Sequence, residues 1–314
     1  MRRWPCLVFR FAALLTVIAG ISGPALAAAD VVALAHDAYI FTFPLYEVYR
    51  IRYLAECAPE NPRRSVPNAF RHRRELTDYT SRVVTTPNSD TLFSNAFLDL
   101  AAGPLLLQVP EIADRYYSLA FMDFYTNNFT YIGSRTTGSS AGKYVIVGPG
   151  WNGVAPADAT VIRAPTNAVW VLGRLHVNGT ADDLDRVHRE QDGLQLSPLD
   201  RPAGPVGCHG PAIDASNPWN YFTVAAAALT ENPPPARDAP MLAHLAAIDV
   251  GPGRHFDPAR FDPTTQQAIL DGIETARQQI ESTDIHGKIV NGWAYPPPGI
   301  GNFGSDYVLA RQSR

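Results

Sequence analysis

Along this chain the spacing of apolar residues changes twice, and each change predicts a different kind of element. From Asp30 to Ala55, Val32, Ala35, Tyr39, Phe43, Tyr46 and Tyr49 recur near helical spacing, so the segment reads as a helix, with Pro44 starting a new turn or kinking it. Aromatic side chains crowd one side of it, as for a helix packed on a sheet. From Val83 to Arg174 the period becomes that of strands. The candidates are Thr91 to Leu100, Leu105 to Val109, Tyr116 to Met122, Asn128 to Ile132, Tyr144 to Val147, Thr160 to Arg163 and Ala168 to Leu172. In the third of these, Tyr117, Leu119 and Phe121 make a large apolar face and Tyr116, Ser118 and Ala120 a mixed one, the pattern of a half-buried antiparallel strand. Turn signals such as Ala102-Gly103-Pro104 and Gly148-Pro149-Gly150 separate them at short intervals. After Gly179 the helical period returns. Asp182 or Asp183 caps a helix to about Gln191, Asn217-Pro218 starts one from Trp219 to about Thr230, and two more fit near Pro240 to Ala247 and Pro263 to Ser282. The predicted class is mainly β with flanking helices: an antiparallel β-sandwich or jelly-roll-like core, an N-terminal helix and a helical segment after residue 180.

Composition narrows the setting. Hydrophobic residues make up 46% of the chain, enough for a large core, while 27 prolines and 23 glycines favour strands and loops over a helix bundle. A formal charge of -4 argues against nucleic acid, which wants a basic face. No stable membrane insertion is expected of the body of the chain. Its first residues read as an export signal: Arg2 and Arg3, an apolar run from Cys6 to Ile21 broken only by Arg10, then Ala25-Leu26-Ala27 as a cleavage site. Cleavage near Ala27 would deliver the remainder to the periplasm or outside the cell. That leaves Cys57 and Cys208, which can form one bridge there or stay separate. Cys208 stands beside His209, but two adjacent residues without further spaced ligands do not make a metal centre, and no cofactor is expected.

A set of motif blocks carries a resemblance. Asn68, Phe70 and His72, the run Val84-Thr85-Thr86-Pro87-Asn88-Ser89-Asp90-Thr91-Leu92-Phe93-Ser94, Thr126-Asn127-Asn128-Phe129, Thr136-Thr137-Gly138, Gly148-Pro149-Gly150-Trp151, Arg163 to Asn167 and Trp170 to Arg174 resemble the family catalogued as domain of unknown function 1254. The resemblance implies a β-sandwich-like N-terminal domain and no established reaction. It also implies that a segment like Asn291 to Gly304 leads into a second β domain, catalogued as domain of unknown function 1214, whereas this chain stops at Arg314. The expected organisation is a signal peptide over 1–27, a β-sandwich-like domain with its helix over 28–175, a mostly helical continuation over 176–290 and a Pro, Gly and aromatic segment over 291–314. A second domain or partner polypeptide could then complete the protein.

Candidate chemistry gathers in two places. Asn88, Ser89, Asp90 and Thr91 present an acid, an amide and two hydroxyls where a loop enters a strand. Asp90 could move a proton and Asn88 hold the polar partner, although Asn and Asp beside Pro also make turns by bonding their own backbone. His72, in the alternation Asn68-x-Phe70-x-His72, would share one strand face with the other two and could pair with Asp90. The second cluster is Asp123, Tyr125, Asn127 and Asn128, followed by Tyr131 and Arg135. Rings and planar amides in one loop suit a sugar or another small polar ligand. Arg135, Arg163 and Arg174 could clamp an anion or pair with Asp99 and Asp123. The chain has no H-E-x-x-H, P-loop or EF-hand, and its eight histidines are scattered.

Two functions fit. One is a periplasmic binding or domain-assembly module for a small polar molecule. The other is a periplasmic enzyme of hydrolase or lyase type using Asp90 on a small polar or sugar-like substrate, in which Asp90→Asn would spare folding but abolish turnover.

Overall fold

The computed structural model describes residues 27–80, 88–199, 208, 210–282 and 287–295. The expected signal peptide up to Leu26, the Val84 to Pro87 part of the first motif block, His209 and everything after Tyr295 lie outside these residues.

Two sheets face each other. The first has the order β1 (Arg71–His72), β2 (Thr91–Asp99), β8 (Ala168–His176), β4 (Tyr117–Asp123) and β5 (Asn128–Gly133), antiparallel throughout. The second runs β7 (Thr160–Arg163), β6 (Gly142–Val147), β3 (Leu105–Val109) and β9 (Gln195–Pro198). Between them lies an apolar core in which Leu92, Leu98, Leu107, Leu119, Phe121, Ile146 and Val171 are essentially sealed from solvent. The alternation that predicted the strands is the cause: odd residues of β4 and β8 and even residues of β2 point inward. This is the sandwich-like core expected, with one difference in detail. β7 runs parallel to β6, because the connection from Gly148 to Ala159 crosses back instead of forming a hairpin.

The helices form a second layer. α1 (Ala28–Glu56) packs against α3 (Asn220–Glu231), α4 (Ala239–Leu245) and α5 (Pro263–Ser282). It is apolar on nearly every side because neighbours surround it, and it runs through Pro44 as one element. Its aromatic side meets another helix more than a sheet: the rings of Tyr39 and Tyr46 lie 4.0 and 4.4 Å from that of Tyr221 on α3. Phe97, Phe124 and Ala168 join the first sheet to this helical core.

α2 (Ala181–Asp192) starts one or two residues before the aspartates expected to cap it. Thr180 is the cap, its Oγ1 accepting from the Asp183 N–H at 3.3 Å, and the Asp183 carboxylate turns inward. Asn217 bonds the Trp219 N–H, and α3 begins one residue beyond it. A short hairpin, β10 (Ile289–Val290) and β11 (Trp293–Ala294), turns on Asn291-Gly292, both at positive φ as such two-residue turns require.

Candidate functional site

The residues named from sequence fall in several places. Asn88 makes the local turn: its Oδ1 accepts from the N–H groups of Asp90 and Thr91 at 3.0 and 3.1 Å, and its Nδ2 donates to Thr91 Oγ1 at 2.6 Å. Asp90 is exposed at the start of β2. His72 stands beside Ser94, further along the same strand, and shares a 2.8 Å hydrogen bond between its Nδ1 and Ser94 Oγ. The structure therefore does not bring His72 and Asp90 together. Burial, reinforced by the Arg74 charge, holds the imidazole down at about 4, so it is neutral near pH 7. Only Phe70 and His72 share a face, with their rings 5.8 Å apart. Asn68 has φ +59°, which breaks the alternation, and its Oδ1 accepts from the Asp99 N–H.

The loop cluster splits as well. Asp123 is buried and accepts from the N–H groups of Tyr125 and Asn127 and from the Asn127 side chain, with Thr126 at positive φ between them. Burial is the main influence on this carboxyl and raises its pKa. Tyr125 Oη donates to the Asn232 carbonyl. These bonds close a tight turn against α3. Asn128 keeps a buried Oδ1 without a partner in the protein. Arg163 donates to the carbonyls of Gly148, Pro149 and Trp151 and so holds that loop. Tyr131 and Arg135, by contrast, line one hollow of about 230 Å³ at the β4–β5 edge. Arg174 belongs beside them, opposite Ser118 of the same hollow.

A larger cleft, about 640 Å³, opens on the outer face of the five-stranded sheet where it meets the C-terminal half of α1. Its basic wall is Arg63, Arg71, Arg73 and Arg74, with Glu75 the acidic residue among them. Its apolar surfaces are Ile51, Ala55, Phe93, Phe97 and Trp170. The pairing explains the placement. Arg71 opposes Asn95 in register and His72 opposes Ser94, so the arginine faces the cleft while the imidazole bonds Ser94 on the inner side, His72 still contributing to the cleft's lining. Arg74 is already engaged, with Asp192, Gln191 Oε1 and the His188 carbonyl. Arg73 Nε donates to the Glu75 carbonyl. Two lining residues carry buried polar atoms without a partner in the protein: Asn95 Oδ1, an acceptor, and Trp170 Nε1, a donor. Unbonded buried groups of this kind are costly unless something completes them. Among the described residues no group of three or more His, Cys, Asp and Glu side chains could hold a metal ion.

Sequence reasoning did not single out Arg63, Arg71, Arg73, Asn95 or Trp170. The available signal was the run Arg71-His72-Arg73-Arg74, in which alternation sends two arginines to one face of a strand.

No curated protein matches this chain in sequence. The crystal structure of the VPA0106 protein from Vibrio parahaemolyticus has the same fold, with a TM-score of 0.69 at 22% identity over 90% of this chain. This chain spans 66% of that protein. Residues 67–198, from the approach to β1 through β9, match the family described as protein of unknown function, DUF1254. The likeness to the DUF1254 family thus rests on that segment, which holds the sandwich and most of the cleft's basic wall.

Proposed function

We propose that this chain is an exported binding module for a small, polar, anionic molecule seated in the cleft between the five-stranded sheet and α1. The observation that carries the reading is the lining: four arginines and the rings of Phe93, Phe97 and Trp170 wall one cleft. Guanidinium groups bind carboxylates and phosphates in paired hydrogen bonds. Phe93, Phe97 and Trp170 supply apolar surface to the rest of the molecule. An acid with an apolar ring face, such as a sugar acid, satisfies both demands.

Export is supported by the leader-like residues up to Ala27 and by Cys57 and Cys208, whose sulfurs are bonded with Cα atoms 5.5 Å apart. Disulfides persist in the periplasm and outside the cell. A domain-assembly role is supported by the β10–β11 hairpin, where Trp293 and Tyr295 are exposed.

Thermal melts of the chain with galacturonic acid, inorganic phosphate and neutral glucose test the cleft. A ligand at about 100 times its dissociation constant adds roughly 2.7 kcal/mol, so the acid should raise the Tm and glucose should not. Arg71→Gln combined with Arg73→Gln should remove the shift. Asp90→Asn should leave it intact, since Asp90 lies outside the cleft. Equal stabilisation by glucose, or a shift untouched by the arginine changes, would sink the reading.

A further inference from the structure

The cleft is one end of a longer feature. Across the five strands one row of opposed residues reads Arg71, Asn95, Leu172, Ala120 and Tyr131. The next row reads Phe93, Arg174, Ser118 and Gly133. Opposed residues share a face of the sheet, so both rows lie on the outer side, away from the sandwich core. With strands about 4.8 Å apart, the distance from Arg71 to Tyr131 is about 19 Å.

At the far end is the hollow of about 230 Å³ that includes Tyr116, Tyr131 and Arg135. Both rings are open to solvent, at 39% and 44% exposure. Arg135 lies over the Tyr116 ring, 5.4 Å from its centroid, and donates to its hydroxyl at 3.2 Å. Midway, Arg174 lies over the Phe93 ring, also at 5.4 Å. Each guanidinium laid on a ring keeps an edge of donors facing outward. Among the described residues, Arg63, Arg71, Arg135 and Arg174 have no carboxylate partner, although other arginines of the chain are paired.

We propose that this face is a track for a linear acidic oligosaccharide, with the cleft as the first subsite and the Tyr116–Arg135 hollow as the last. The proposal rests on the reading of the cleft given above and extends it to a ligand class. A repeating acid sugar presents carboxylates at intervals to Arg71, Arg174 and Arg135. The ring faces of Phe93, Tyr116 and Tyr131 meet its apolar C–H faces, as aromatic side chains do in ligand sites. A track of about 19 Å is longer than one sugar ring needs.

Calorimetric titration of the chain with galacturonic acid and with its dimer, trimer and tetramer tests the track. Linked subsites should tighten binding with length, by roughly a hundredfold from monomer to tetramer. Neutral maltotetraose should not compete. Tyr131→Ala and Arg135→Gln, both at exposed positions, should erase the gain with length. Arg71→Gln should weaken every member of the series. Equal affinity for monomer and tetramer would overturn the track while leaving the cleft reading standing. Absence of binding by any of the acids would overturn both. A dimer that forms without sugar and is dispersed by Tyr131→Ala would also overturn the proposal, because the face would then belong to a second copy of the chain.

Discussion

Asp183 is a carboxylate almost fully withdrawn from solvent and held by Arg115 at 2.7 Å, Arg186 at 3.1 Å and the Asn178 N–H at 2.8 Å. The hydrogen bond from Arg115 is the main reason its pKa falls from 3.8 to about 2. A folded value below the unfolded one means stability that is complete above about pH 4 and lost as pH falls toward 2. Asp183→Asn should cost about 3–5 kcal/mol at pH 7, since it leaves a buried guanidinium partly uncompensated. Urea melts at pH 7, 4 and 3 should show a flatter acid dependence in the variant. His72 acts in a higher window. Its folded value of about 4 lies below the ordinary 6.5, so between those limits the unfolded chain takes up a proton that the folded chain refuses. Stability should decline as pH drops through that range, and His72→Gln should remove that component. Neither effect could be seen in the sequence. Asp183 was legible there only as one of two alternative helix caps, and His72 only as a strand residue that could pair with Asp90.

At the scale of elements, α1 and α5 come closest at Gly272. A Cβ added there would lie 2.4 Å from the Val32 carbonyl oxygen and 2.6 Å from the Ala35 Cβ. Exposed helical glycines gain about 1 kcal/mol on replacement by alanine. Gly272→Ala should do the opposite and destabilise by about 1–3 kcal/mol, the usual range for overpacking. Chemical denaturation decides the sign, and a stabilised variant would mean the helices can part without cost. The sequence located α5 by its period, but nothing in that period told which neighbour requires the glycine. Strands were easier to read. β2, β3, β4, β5, β7 and β8 all begin within one residue of their expected starts, because alternation is a local property. The four-residue β9 escaped notice because Gln195 to Pro198 has no apolar alternation and is held as an edge by pairing with β3.

For the whole molecule, the bond between Cys57 and Cys208 joins the end of α1 to the segment before α3, across a separation of 151 residues that contains the entire sandwich. In the chain-entropy model a loop of that length contributes about 5 kcal/mol, with measured values more often about 2–4. Reduction, or Cys57→Ser with Cys208→Ser, should lower stability by that order while leaving the fold's circular dichroism intact. Denaturant midpoints with and without reductant measure it. Arg52 ties the same region together, bonding both carboxylate oxygens of Glu231 at 2.6 and 2.7 Å and lying over the Tyr49 and Phe124 rings. The disulfide and this charged pair both tie α1 to α3 and the segment before it, and Arg52 reaches the sandwich side through the Phe124 ring.

By itself the sequence determined the alternation of strands, the helices on either side of them and the likeness to the DUF1254 family, because period, turn residues and motif order are properties of neighbouring positions. It also placed Tyr131, Arg135 and Arg174 among the ligand candidates, from residue type alone. Only the tertiary structure decided that Asn88 and Asp123 spend their polar atoms on turns, that His72 faces Ser94, and that Arg63, Arg71, Asn95 and Trp170 meet in one cleft. The physical reason is pairing. Which residue of β1 opposes which residue of β2, and which strands flank β8, depends on contacts between distant segments, and these contacts set the composition of the sheet's outer face.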